Sequence, residues 1–99
     1  MRDTFIETLE AGLDDNPHLL LMTADLGFGV LDSVASNHPE RFLNVGIAEQ
    51  NLTMVAAGLA LEGHRVFTYS IGNFPTLRCL EQLRNDVAYH GLSVVVISV

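Results

Sequence analysis

The chain has 99 residues, 48% of them hydrophobic and 17% charged, with a net charge of −7. That length fits a single domain, and five Lys plus Arg cannot neutralise a phosphate track, so nucleic-acid binding is excluded as an expected function. The mean hydropathy of +0.30 is high for a small domain and predicts surface that meets a partner or belongs to a larger assembly. No apolar run reaches the roughly 18–20 residues of a membrane span. The opening Met1-Arg2-Asp3-Thr4 is unlike a secretory signal. Cys79 is the lone cysteine, which excludes an internal disulfide or a thiolate zinc site and suits a reducing cytoplasm.

Phe5, Ile6, Leu9 and Leu13 recur at helical spacing, so residues 3–15 read as an amphipathic helix ended by Asp14-Asp15-Asn16-Pro17. His18-Leu19-Leu20-Leu21-Met22-Thr23 is the continuous apolar run of a strand covered on both faces. Asp25-Leu26-Gly27-Phe28-Gly29 is a loop, followed by a helix over 30–37 and a short strand over 41–45. Residues 47–62 form the strongest helix, closed by Gly63 and expected to be buried nearly all round. A strand over 64–69 leads to the loop Ser70-Ile71-Gly72-Asn73-Phe74. Pro75 then suits the first turn of a helix running to about Tyr89, and 92–99 is a β-branched strand of buried type.

The order α-β-α-β-α-β-α-β predicts an α/β fold, a parallel sheet with helices on both faces. Because functional loops follow the carboxyl ends of strands in such sheets, a chain stopping at the end of a strand reads as a domain fragment, incomplete at its C-terminus.

Several candidate sites are weak. Gly27-Phe28-Gly29 invites comparison with a dinucleotide fingerprint, but Asp32 stands where the third glycine is required. The four His residues show no metal-ligand spacing, so no metal ligand is expected. Arg78, Glu81 and Arg84 are spaced for ordinary helical pairs on a solvated face, and Cys79 reads as inert packing. Asp25, just past a strand's carboxyl end, is either a ligand-site residue or a turn aspartate.

Glu49 is the most informative residue. An acid in a first helical turn gains roughly 0.3–1 kcal/mol from the macrodipole, which alone would explain it. The helix around it is small and apolar, however, with Ala48, Ala56, Ala57, Gly58 and Ala60. A carboxylate there is costly to desolvate and has a raised pKa unless partnered, which is the property proton transfer near neutral pH uses.

The string Phe42-Leu43-Asn44-Val45-Gly46-Ile47-Ala48-Glu49-Gln50-Asn51, with Val55-Ala56-Ala57-Gly58-Leu59-Ala60, resembles the pyrimidine-binding domain of transketolase-type thiamine diphosphate enzymes. It is similar also to 1-deoxy-xylulose-5-phosphate synthase. Thr23-Ala24-Asp25-Leu26 looks like a second family segment, and the run from Tyr69 to Gln82 resembles stand-alone transketolase C-terminal subunits. The resemblance covers the whole chain. It implies that Glu49 hydrogen-bonds the pyrimidine ring of thiamine diphosphate and favours the tautomer that removes a proton from the thiazolium ring. It further implies that Phe74 stacks on the pyrimidine, that Ile71 and Leu77 stand where relatives carry further aromatics, and that Asp25 lies near the cofactor or a subunit contact.

The family's diphosphate and Mg²⁺ site belongs to a separate pyrophosphate-binding domain or subunit, so the metal is expected on that partner and not on this chain. The implied reaction is transfer of a two-carbon ketol unit between sugar phosphates in carbohydrate metabolism, by a homo- or hetero-oligomer (a dimer at least). This chain alone is expected to be inactive, with the helix over 47–63 part of the dimer contact. The alternatives are a non-catalytic assembly module of the same fold, or part of an enzyme like 1-deoxy-xylulose-5-phosphate synthase or a dehydrogenase E1.

Overall fold

A computed structural model describes all of residues 1–99. Four strands, β1 (Leu19–Thr23), β2 (Phe42–Asn44), β3 (Arg65–Ser70) and β4 (Val94–Ser98), form one sheet in the order β2-β1-β3-β4. Every pairing is parallel, with Thr23 beside both Asn44 and Tyr69, and Tyr69 beside Ile97. Parallel strands need crossovers, and helices supply them. Helices α1 (Arg2–Asp15) and α2 (Asp32–Asn37) lie on one face of the sheet and α3 (Glu49–Leu61) on the other.

The strand period of two sorts the core into two layers. Leu19, Leu21, Phe67 and Tyr69 point towards Ile6, Leu9 and Leu13 of α1 and Leu31 and Val34 beside and in α2. Phe5 reinforces that layer by stacking on Tyr69, with ring centroids 6.4 Å apart. Leu20, Met22 and Val66 point the other way, to Leu52, Val55, Ala56 and Leu59 of α3. The C-terminus of α1 is held by Arg41, whose guanidinium donates to the carbonyls of Leu13 and Asn16, satisfying acceptors that a helix end leaves open.

Three expectations need correction. The helix α3 is not buried all round: Glu49, Leu52, Thr53, Ala56 and Ala57 are buried, whereas Asn51, Met54, Gly58 and Leu61 face outward. The helix packs on the sheet and beside the segment after Pro75, and the side that meets neither, with Asn51, Met54, Gly58 and Leu61, is left open. The strand β4 is half-exposed rather than buried, because it is an edge strand with a neighbour only at β3.

The helix expected over 75–89 is composite. It has a 3-10 turn at Leu77–Cys79, a single α-turn at Leu80–Gln82 (α4) and a π-type stretch at Leu83–Ala88. Pro75 stands before it, and the irregular start is closed by Arg78 N–H donating to the Asn73 carbonyl and Cys79 N–H to that of Thr76. No helix is long and apolar enough to cross a membrane.

Candidate active site

A parallel sheet carries the loops after β1, β2 and β3 to the same edge, the carboxyl one, where ligands bind in open α/β folds. Asp25 follows β1, Glu49 follows β2 at the head of α3, and Ile71 and Phe74 follow β3. The topology therefore gathers all four predicted site residues at one edge, though not into one pocket.

Glu49 is the first residue of α3 and is 6% exposed. The preceding turn explains its placement. Gly46 adopts a φ of 79°, a left-handed conformation that costs glycine little. The chain then closes a tight turn from Ala48 N–H to the Gly46 carbonyl. The helix thus starts two residues later than periodicity predicts. Ile47 is thrown out at 82% exposure while Glu49 turns in. Its backbone carbonyl accepts from Thr53 Oγ1 at 3.3 Å.

The carboxylate is not alone. Arg78 Nη1 donates to Glu49 Oε1 at 3.2 Å, and the same guanidinium lies 4.3 Å from the centroid of the Phe74 ring. A cation over an aromatic face is electrostatically favourable. The salt bridge reverses the expectation that Arg78 pairs with Glu81 along its own helix, since the irregular turn at Leu77–Cys79 aims it at α3 instead. Gln50 Nε2 donates to the Arg78 carbonyl at 3.1 Å and ties the two segments together. Ile47, Ala48, Gln50, Asn51, Met54 and Arg78 line, with Glu49, an open cleft of about 420 Å³.

Beneath it lies Cys79, fully buried, with its thiol directed at the Phe74 carbonyl at 3.2 Å. Burial pushes this thiol above the ordinary range; Thr53 and Arg78 oppose that rise and the Glu49 charge adds to it.

Asp25 has a φ of 57°, the one non-glycine residue with positive φ, a conformation aspartate tolerates better than most. Its partner is Asn44: the Asp25 N–H donates to Asn44 Oδ1 at 2.9 Å, and Asn44 Nδ2 donates to Asp25 Oδ1 at 3.1 Å. Asn44 Oδ1 also accepts from the Gly46 N–H at 2.9 Å. One side chain thus fixes both the Asp25 loop and the turn that delivers Glu49.

Ile71 lies elsewhere, against a second cleft with Arg2, Leu26, Phe28 and Tyr69. The glycine loop makes no phosphate cradle: Asp32 Oδ2 accepts the Gly29 N–H at 3.1 Å. Gly27 is required there, since a Cβ would come within 2.6 Å of Leu31.

The residues that sequence reasoning missed are Arg78 and Asn44. Two signals could have found them: one of only five basic residues standing four places after Phe74, and an Asn closing a strand just before a positive-φ Gly. Chemically, the cleft offers a buried carboxylate between apolar walls of Ile47, Ala48 and Met54, and the Phe74 face lies behind the Arg78 guanidinium. This suits a flat nitrogen heterocycle. No group of three or more His, Cys, Asp or Glu is arranged to hold a metal ion.

The sequence matches the family described as transketolase, pyrimidine binding domain, over residues 1–99. It is 39% identical over 99 residues to a protein of Methanocaldococcus jannaschii named as a transketolase C-terminal section, covering 99% of this chain and 31% of that protein. It is 35% identical over 95 residues to the 6-deoxy-6-sulfo-D-fructose transketolase subunit SqwH of a Clostridium species, covering 95% of this chain and 30% of the relative. The chain thus spans about a third of the length of these relatives.

A solved structure of a split gene transketolase, described as an inactive beta4 tetramer, superposes with a TM-score of 0.85 at 36% identity. It covers 96% of this chain and 32% of that one. With the family matched from first residue to last, and a parallel sheet carrying a buried acid at its carboxyl edge, the chain belongs to the transketolase pyrimidine-binding domain family of thiamine diphosphate enzymes.

Proposed function

We propose that this chain supplies the pyrimidine half of a thiamine diphosphate site in an enzyme that transfers a two-carbon ketol unit between sugar phosphates. The observation that carries the reading is the buried Glu49 carboxylate in a cleft walled partly by Ile47, Ala48 and Met54, on the carboxyl edge of the sheet. When bound, the cofactor supplies a carbanion-stabilising centre. The residues here do the rest. Glu49 accepts a hydrogen bond from the ring, or shares its proton, at Oε1 or Oε2. Phe74 offers a stacking face, and Ile47 and Met54 offer apolar surface for the ring to cover. Asp25 acts one step back, through Asn44 and the turn that sets Glu49.

The donor set fits the ring and not a diphosphate bound to a metal, so the reading assigns Mg²⁺ and the diphosphate to a pyrophosphate-binding domain or subunit. Catalysis then needs both, and this chain alone turns nothing over. Calorimetric titration with thiamine diphosphate and Mg²⁺, with and without such a partner, tests this. Binding should be tight only in the pair, and an active pair that retains full activity with Glu49→Gln ends the proposal.

A second reading has its own support in the solved neighbour described as an inactive tetramer. Met54 and Leu61 on α3, with Leu77 and Leu80 on the composite helix, are exposed apolar residues, of the kind that mark an interaction surface. On this reading the chain assembles with copies of itself into an inactive oligomer until the partner arrives. Sedimentation of the chain, alone and with the partner, separates the two readings.

A further inference from the structure

The buried carboxylate is satisfied by a side chain that is itself not buried. Glu49 is 6% exposed and Arg78 53% exposed, and the guanidinium spans Glu49 Oε1 at 3.2 Å and the Phe74 face at 4.3 Å. One planar cation therefore holds the hydrogen-bonding position on the carboxylate and the face of the aromatic ring together. These are the two contacts that an aminopyrimidine ring would need. A guanidinium resembles the ring-protonated or imino form of such a ring in being flat, delocalised and able to donate N–H to a carboxylate.

The main chain of Arg78 is anchored independently. Its N–H donates to the Asn73 carbonyl, and its carbonyl accepts from Gln50 Nε2. The side chain can therefore turn outward without moving the backbone. Its release to water costs little because it is already half-solvated, whereas stranding Glu49 without a partner would be costly.

We propose that Arg78 is an exchangeable place-holder, a positioning residue that competes with the aminopyrimidine ring for Glu49 and Phe74. Ring and guanidinium trade places, so the carboxylate is never left bare and the arginine sets how readily the cleft admits the ring. This rests on the functional reading above and goes beyond it by assigning a regulator of the same cleft.

The test uses the full chain and its Arg78→Met and Arg78→Lys variants. The probes are the free pyrimidine 4-amino-5-hydroxymethyl-2-methylpyrimidine and thiamine diphosphate with Mg²⁺. Nitrogen-15 NMR of the arginine side chains should show the Arg78 signal moving to the position of a solvated guanidinium as the free pyrimidine is added. Arg78→Met should bind that pyrimidine about fivefold more tightly, because removing a competitor raises the binding-competent fraction. Arg78→Lys, which keeps the charge but loses the plane, should fall between and serves if the Met variant folds poorly.

A ring that binds while the Arg78 signal stays put, or binds more weakly to Arg78→Met, overturns the exchange and leaves the functional reading standing. If no variant binds either probe even with the pyrophosphate-binding partner present, while melting temperatures still show Arg78 coupled to Glu49 in a double-mutant cycle, the functional reading fails and the exchange falls with it.

Discussion

The two faces of the sheet are built from the same four strands and differ in what they bury. On the α1 and α2 face, Ile6, Leu9, Leu13, Leu21, Leu31 and Val34 close around Phe5, Phe67 and Tyr69 in a layer of large apolar side chains. On the α3 face, Met22, Ala24, Leu52, Ala56 and Val66 form a thinner layer of smaller residues. That layer is flanked by buried Glu49, Thr53 and Cys79. The one buried carboxylate is absent from the first face. On the second it sits at the head of a helix, in the reach of Arg78. The contrast teaches that one face supplies stability and the other gives some of it up to keep a polar group where chemistry needs it.

The largest effect is expected on the second face. Glu49→Gln should lower the turnover of a reconstituted enzyme by about 10²–10⁴-fold, the usual contribution of a positioned proton-transfer group, with the far-ultraviolet circular dichroism unchanged. A loss under tenfold in steady-state assays would move the functional residue elsewhere.

On the first face, Leu21→Ala should cost about 2–5 kcal/mol in urea unfolding, because the fully buried site cannot collapse around the loss. Its affinity for the pyrimidine should be unchanged wherever the chain remains folded. Equal damage to binding would erase the division between faces.

A smaller change is expected of Asn44→Ala, which removes the hydrogen bonds joining Asp25 to the Gly46 turn. Stability should fall by about 1 kcal/mol, while pyrimidine affinity measured by calorimetry drops further than that loss accounts for. The reason is that the turn sets Glu49. If affinity holds, the turn is rigid without Asn44.

The smallest effect concerns Cys79. Its thiol is pushed up chiefly by burial, so the folded state disfavours the thiolate. The thiol's contribution to stability is fully present below the unfolded thiol pKa and is lost as pH rises through the higher folded value. Melting temperatures of wild type and Cys79→Ala, followed above pH 8, should converge as that contribution fades. Labelling by a disulfide reagent should be slow at neutral pH and accelerate on unfolding.

Much of the fold was legible in the chain. The helical spacing of Ile6, Leu9 and Leu13 and the apolar run Leu19 to Met22 reflect burial that repeats with the element's own period, so local pattern and tertiary position coincide. The helix after Gly46 was placed correctly but started too early. The reason is that Gly46 adopts positive φ and the following turn expels Ile47, and apolar spacing does not register a turn. The composite segment Leu77 to Ala88 was read as one α-helix for a similar reason: its residues favour helix, and the choice among 3-10, α and π hydrogen bonding is made by what the turns pack against.

Alone, then, the sequence determined the alternation of helices and strands, the parallel sheet, and the placing of an acid in an apolar helix's first turn. These follow from periodicity and composition, which act over a few residues. Only the tertiary structure decided that Arg78, 29 residues away, meets Glu49 over Phe74, and that Asn44 ties Asp25 to the same turn. Those contacts arise where loops from separate strands converge at the carboxyl edge, and no local pattern encodes a distance between them.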